Sequence, residues 1–277
     1  MKLRIVKPGQ GLVWVRQGLQ IARQQPLNLL GLMGLVATAA LLLMSLPVLG
    51  PLVVVAAMPL VWMGFMLATR HALAGEKIQP VVLIEPVRGQ PELRKAFMRL
   101  GGAYVAATLV VMQLAGLFGP GAEVLAEAFE RAENVGDIID NPLVQQDMLW
   151  RMGLTLPVSL AFWHTPALTL WARLPLGKAL FFSAVASWRN LGAFAVYGVA
   201  WAAVILGVGL LDRLVVLLIP LPAVANVLAI TAGMWIASAF YASLYFTVVD
   251  CFDAPARDRT DTPPQDDSSE TPSSGQA

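Results

Sequence analysis

Residues 27–69 contain no Asp, Glu, Lys, Arg or His. A run this long and this apolar cannot be covered by polar surface in water. It is also about twice the ~20 residues that one helix needs to cross a bilayer. The remainder of the chain follows the same composition: 57% of its 277 residues are hydrophobic and 13% are charged. Soluble globular chains carry about 25% charged residues. The sequence therefore predicts an all-α integral membrane protein. In lipid only helices and closed barrels satisfy every backbone N–H and C=O, and runs of this length fit helices.

Six spans are predicted, over residues 27–46, 52–69, 101–118, 152–172, 191–211 and 224–249. Pro47-Val-Leu-Gly50-Pro51 closes a hairpin too short to leave the interface, and Gly119-Pro120-Gly121 ends the third span. Residues 214–223, LVVLLIPLPA, are apolar but short and broken by two prolines, which predicts an interfacial or re-entrant segment. The organisation expected is a cytoplasmic amphipathic segment over 1–26, a six-helix transmembrane domain over 27–252 and a disordered tail over 253–277. The tail has no large apolar residue with which to offset its ordering entropy. In the first segment, Leu12, Val13, Trp14, Leu19 and Ile21 alternate with Arg16, Gln20 and Arg23, the pattern of a helix on the membrane surface. Pro26 ends it. No short apolar region with a small-residue cleavage site follows the N-terminal basic residues, so the first span is expected to direct insertion.

Basic residues set the orientation. With the N-terminus inside, sixteen of the nineteen Lys and Arg fall on the cytoplasmic side, and Arg131, Arg151 and Arg213 fall outside. Both termini are expected to be cytoplasmic. The net charge of +1 gives no nucleic-acid footprint, and a single cysteine, Cys251, cannot form an internal disulfide or a multi-cysteine metal site.

Arg189-Asn190 interrupts an apolar stretch, KALFFSAVASWRNLGAFAVYG, at the predicted cytoplasmic surface. Leu180, Phe181, Ala184, Val185 and Trp188 recur on one helical face, which predicts an interfacial elbow helix buried on that face. Asn190 is expected to cap the following span through its side chain, and Arg189 to anchor at lipid phosphate. A substrate-binding Arg-Asn pair is the sharper alternative. Arg99 opens a similar motif: RLGGAY at 99–104 matches RNLGAF at 189–194 in Arg, Gly-Ala and the final aromatic. A duplicated helix–elbow–helix unit would account for this. His164, between Pro157 and Pro166, is the one ionisable candidate inside a span, and no carboxylate lies at its depth. A structural histidine is the expectation, and a ligand or proton-handling role the alternative. Ala225, Ala229, Gly233 and Ala237 form a small-residue stripe that predicts close helix packing within the chain.

The chain resembles a family of uncharacterised multi-pass inner-membrane proteins of Gram-negative bacteria, chiefly betaproteobacteria. The resemblance rests on Gly11-Leu-Val-Trp14 with Pro26, Leu46-Pro-Val-Leu-Gly50-Pro51, Met58-Pro59 with Gly64, and Ala179-Leu-Phe-Phe-Ser183 with Arg189-Asn190. It covers about residues 10–252 and implies six helices in a bacterial inner membrane. It brings no activity and no catalytic residue. Arg189, Asn190, Ser183, His164 and Arg99 stand as candidate structural or interaction residues. Without a carboxylate or nucleophile motif at membrane depth, no enzyme activity, cofactor or metal is expected. The function expected is that of a non-enzymatic accessory or envelope-maintenance protein, with membrane lipids and a membrane protein as candidate partners; a transporter or channel for a neutral or lipid-like substrate is the alternative.

Overall fold

The computed structural model of the chain describes residues 2–132, 135–218 and 221–252; the tail expected over 253–277 lies outside them. Among the described residues the protein is helical, with one isolated antiparallel bridge between Leu3 and Phe252. The helices in chain order are α1 (Gln10–Gln24), α2 (Pro26–Met44), α3 (Leu49–Leu73), α4 (Pro91–Phe118), α5 (Ala122–Arg131) and α6 (Val135–Asp140). They continue with α7 (Pro142–Phe162), α8 (Thr165–Trp171), α9 (Leu176–Arg189), α10 (Leu191–Leu218) and α11 (Pro222–Cys251). Five segments are long and apolar enough to cross a membrane: Pro26–Met44, Leu49–Leu73, Pro91–Phe118, Leu191–Leu214 and Ala223–Cys251.

Local chemistry fixes the boundaries. Pro26 sits in the first turn of α2, where its missing N–H is no loss. The α2–α3 hairpin closes through a γ-turn at Val48 (φ 64°), with the Leu49 N–H on the Pro47 carbonyl at 2.7 Å. A Cβ on Gly50 would lie 1.9 Å from the Leu43 carbonyl oxygen, so no other residue fits that turn. Two 3₁₀ turns, Pro80–Leu83 and Glu85–Val87, lead into α4, and no α-helical elbow forms there.

Three expectations are corrected here. The fourth predicted span, 152–172, is two helices, α7 and α8, broken before Pro166. Of the segment expected over 214–223, residues 214–218 extend α10 and 222–223 open α11, while 219–220 lie outside the described residues; Asp212 and Arg213 are both tolerated inside a helix and do not stop it. The amphipathic face of α1 turns to protein, not lipid. Trp14, Val15, Ile21 and Ala22 are buried, and α1 runs antiparallel to α11, with Trp14 beside Asp250 and Ala22 beside Trp235. Amphipathic periodicity demands a partner for the apolar face; it does not say which partner.

Packing is uneven along the helices. One end of the molecule, here called the base, holds the core: Met63 to Thr69 of α3, Phe97 and Leu100 of α4, Ala193, Phe194, Tyr197 and Trp201 of α10, Ala239, Ala242, Leu244 and Val248 of α11, and Phe252 after it. Trp14, Trp163, Phe194, Tyr197 and Phe240 form one aromatic cluster there. Towards the far end the helices expose Leu41, Leu117, Leu206, Leu210, Val227 and Ile230. Exposed apolar area on that scale needs an apolar surrounding.

Candidate functional site

Four of the five candidate residues meet or adjoin at the base, around α9. The break between α7 and α8 starts with Pro166, which has no N–H for the helical ladder. The ladder is then opened by a side chain from outside. The His164 N–H, which would pair with the Leu160 carbonyl, donates to Ser183 Oγ at 2.9 Å. Ser183 Oγ donates in turn to the Leu160 carbonyl at 3.1 Å, and Ser187 Oγ donates to the same oxygen at 3.2 Å. Side-chain insertion of this kind is a recognised cause of a kink. His164 itself is fully buried, edge-on to Phe194 and Phe252 at 5.7 and 5.3 Å. Its Nδ1 is 3.4 Å from Ser187 Oγ.

A stability prediction follows for these serines. Ser183→Ala leaves a buried N–H unpaired and takes one donor from a buried carbonyl, and each unsatisfied group costs about 1–3 kcal/mol. The expected loss is about 2–4 kcal/mol. Ser187→Ala removes one of two donors from a carbonyl that keeps the other, and loses only the long 3.4 Å contact to His164 Nδ1, so it should cost less than Ser183→Ala, about 1–2 kcal/mol. Thermal unfolding of both purified variants in one detergent checks the order; equal losses would contradict the insertion account.

Asn190 lies between α9 and α10 and is 2% exposed. Its backbone carbonyl accepts from the Ala193 and Phe194 N–H groups, as a residue opening a helix should. Its side chain does not cap α10, which corrects the expectation. Oδ1 accepts from the Val6 N–H at 2.8 Å. Nδ2 donates to the Arg4 carbonyl at 3.0 Å and to the Ala186 carbonyl at 2.9 Å. The amide thus pairs with residues 4 and 6 of an extended N-terminal segment as a neighbouring strand would. On its other edge the Arg4 N–H donates to the Cys251 carbonyl at 2.8 Å. A second tie joins α1 to α11: Gln10 Nε2 and Trp14 Nε1 both donate to Asp250 Oδ2, at 2.7 and 2.8 Å. Sequence reasoning missed Asp250, although a carboxylate ending an apolar helix opposite an indole-bearing segment was a usable signal.

The best-buried face of α9 is not the one expected. Ala179, Ser183, Ala186, Ser187 and the following Asn190 are buried, Leu180, Ala184 and Val185 are half-buried, and Phe181 and Trp188 are 63% and 69% exposed. Small residues let α9 close on α7 and α8, and the large ones point outward. Arg189 is exposed at the end of α9 and joins no part of the buried junction. The two halves of the supposed repeat are also placed differently: 99–104 lies inside continuous α4, whereas 189–194 straddles the α9–α10 break.

Arg99 belongs to a different place. With Lys95, Arg173 and Thr169 it lines a pocket of about 280 Å³ between α4 and the α8–α9 turn. Of the polar residues on α4 and α7 that could line a cavity with His164, Gln113 and Thr155 are exposed and Ser159 is half-buried. The stripe on α11 is covered only in part: Ala225 is buried. Ala229, Gly233 and Ala237 line an apolar cleft of about 540 Å³ between α10 and α11, and a Cβ on Gly233 would meet open space.

The chain is 35% identical over 255 residues to a probable inner membrane protein of Burkholderia thailandensis, a match that covers 91% of this chain and 94% of that protein. No family model matches the sequence. No solved structure matches it either.

Proposed function

The chain belongs to the family of multi-pass inner-membrane proteins that includes this Burkholderia protein, and from that premise we propose a non-enzymatic accessory or envelope-maintenance role. It acts through contacts with lipid and with a membrane protein partner, without a cofactor. The observation that carries this reading is the distribution of polar side chains. Ser183, Ser187, His164 and Asn190 are spent on holding helices and the N-terminal segment together, while Gln113 and Thr155 lie apart from them. Carriers coupled to ions keep ionisable groups facing an interior path, and among the described residues no other ionisable side chain bonds to His164.

We place six crossings in this proposal, the sixth being α7–α8. Two observations support it. Phe118 stacks on Trp150 at 5.5 Å and Tyr104 meets Phe162 at 5.1 Å, so α7 retraces the path of α4 from the far end to the base. The bridge between Leu3 and Phe252 brings both ends of the helical domain to one side, which needs an even number of crossings. The segment falls short in hydropathy because its first turns carry Gln145, Gln146, Asp147 and Arg151. The base is then cytoplasmic, with both termini inside, and α9 is an interfacial elbow whose Phe181 and Trp188 meet the inner leaflet. Reporter fusions at residue 135 are expected to signal outside, and fusions at 90 and 265 inside; a cytoplasmic signal at 135 would overturn the topology. Co-purification in mild detergent, with identification of bound lipids and proteins, tests the role itself.

The α10–α11 cleft supports a second reading, a carrier of a lipid-like substrate. The purified protein in vesicles would then move labelled lipid between leaflets, and Gly233→Leu, which fills the cleft, would lower that rate. On the accessory reading no transfer occurs, and the same variant keeps the wild-type folded yield.

A further inference from the structure

We propose that the pocket between α4 and the α8–α9 turn binds a phosphate group, that of an anionic phospholipid headgroup in the inner leaflet. This deepens the lipid-contact reading above and rests on it. Three cations line the pocket, Lys95, Arg99 and Arg173, against one carboxylate, Glu92. Glu92 is 86% exposed and lies 3.7 Å from Lys95, so it neutralises at most one of the three. Leu174 and Pro175 complete the wall where α9 begins. Pro175 is the N-cap and offers no side-chain acceptor, so the positive end of a 14-residue helix opens beside the pocket.

Two further observations point to a ligand. Thr169 forms part of the wall and is 3% exposed, and its hydroxyl, closed from the surface, has no partner among the described residues. A buried hydroxyl without a bond is a standing cost, which an oxyanion in the pocket removes once the side chain turns to it. Arg173 holds φ at +52°, a left-handed conformation that glycine adopts freely and a Cβ resists. The turn after α8 closes there, with the Leu174 N–H on the Leu168 carbonyl. Glycine is the usual residue at such a helix end. An arginine there is explained by what its side chain reaches: its Nη1 donates to Gln90 Oε1 at 2.8 Å, which steadies the guanidinium at the pocket.

The depth of the pocket favours lipid over a soluble anion. Arg99 is the last charged residue before the apolar run from Leu100 to Phe118, and its neighbour Met98 is 71% exposed. A headgroup seated on Arg99 therefore has apolar surface beside it for its acyl chains. Basic pockets between helices at the cytoplasmic face are suited to anionic headgroups.

The test is a titration of the full-length protein, in neutral phosphate-free detergent, read as the shift in thermal unfolding midpoint. The probes are phosphatidylglycerol, phosphatidylcholine, and inorganic phosphate at matched phosphate concentration. The variants are Arg173→Gly, Arg99→Gln, their combination, and Arg131→Gln, an exposed cation far from the pocket. Wild type should be raised by phosphatidylglycerol and not by phosphatidylcholine. Arg173→Gly relieves the backbone constraint, so it should fold at least as well as wild type while binding more weakly. The double variant should lose at least tenfold in apparent affinity, and Arg131→Gln should match wild type. Equal shifts from both lipids, or a double variant that keeps the phosphatidylglycerol effect, would overturn the site. Inorganic phosphate alone reproducing the full shift would overturn lipid as the source of the anion. Topology does not affect a titration in micelles, so a failed fusion pattern and a failed titration are distinguishable.

Discussion

Gly11→Ala and Gly18→Ala are expected to release α1 from the bundle, whereas Gly31→Ala and Gly102→Ala leave the protein as stable as wild type or slightly more so. All four glycines are helical, and replacing glycine by alanine inside a helix favours the helix by about 1 kcal/mol. Surroundings decide the sign. A Cβ on Gly11 would lie 2.2 Å from the Ala193 carbonyl oxygen and 2.6 Å from the Tyr197 backbone nitrogen. On Gly18 it would lie 2.5 Å from the Ala239 carbonyl oxygen and 2.6 Å from Ser243 Cβ. These obstacles are mostly backbone and cannot rotate away, so α1 must back off. Backing off strains the bonds of Gln10 and Trp14 to Asp250. Overpacking typically costs about 1–3 kcal/mol, and the lost ties add to it, so a net loss of at least about 2 kcal/mol is expected. Gly31 and Gly102 have nothing within 4 Å of an added Cβ. Thermal aggregation in one detergent gives the stability order. Limited trypsin cleavage at Arg16 and Arg23 reports release of α1 directly. Unchanged cleavage in Gly11→Ala and Gly18→Ala would show that α1 is not held by these contacts.

The same helix shows what the sequence could and could not say. The alternation around Trp14 and Ile21 correctly predicts a helix with one apolar face, and Pro26 correctly ends it. Periodicity carries no information about the partner. Membrane surface and the groove between α10 and α11 satisfy the same pattern, and Gly11 and Gly18, the residues that decide for the groove, read locally as weak helix formers. At α9 the error has the opposite sign. Burial of large apolar residues predicts Phe181 and Trp188 on the covered face, and their exposure shows that size alone does not choose the packed face. The small set Ala179, Ser183, Ala186 and Ser187, which does pack, is legible only if close helix approach is the criterion. The α2–α3 hairpin was legible nearly to the residue, because Pro47 and Gly50 act through local sterics. The pocket at Arg99 was not, because it joins residues 92–99 to 169–175 across the fold, and no spacing rule connects them.

Asn190 gives the clearest test of how the base is held. A residue that merely capped α10 would tolerate Ser or Asp, since either can accept a hydrogen bond from a helical N–H. The observed contacts require more. One amide must accept from the Val6 N–H and donate to the Arg4 and Ala186 carbonyls at once. Asn190→Asp keeps the acceptor, loses the donor, and sets a carboxylate against two carbonyl oxygens. It is expected to be at least as damaging as Asn190→Ala, which should cost about 2–4 kcal/mol from buried groups left unpaired. Asn190→Ser reaches neither partner pair and should resemble Ala. Deleting residues 2–6 removes the groups with which Asn190 pairs while leaving Ala186, so the deletion and Asn190→Ala should be strongly non-additive. Thermal unfolding of the two single changes and their combination measures this coupling. If the losses simply added, or if Asn190→Asp matched wild type, the N-terminal segment would not be held by this amide. The coupling is also what makes the pairing more than a local contact. The segment that Asn190 grips is the same one whose Arg4 N–H reaches the Cys251 carbonyl, so a single buried amide joins the first residues of the chain to the α9–α10 junction and, through them, to the end of α11.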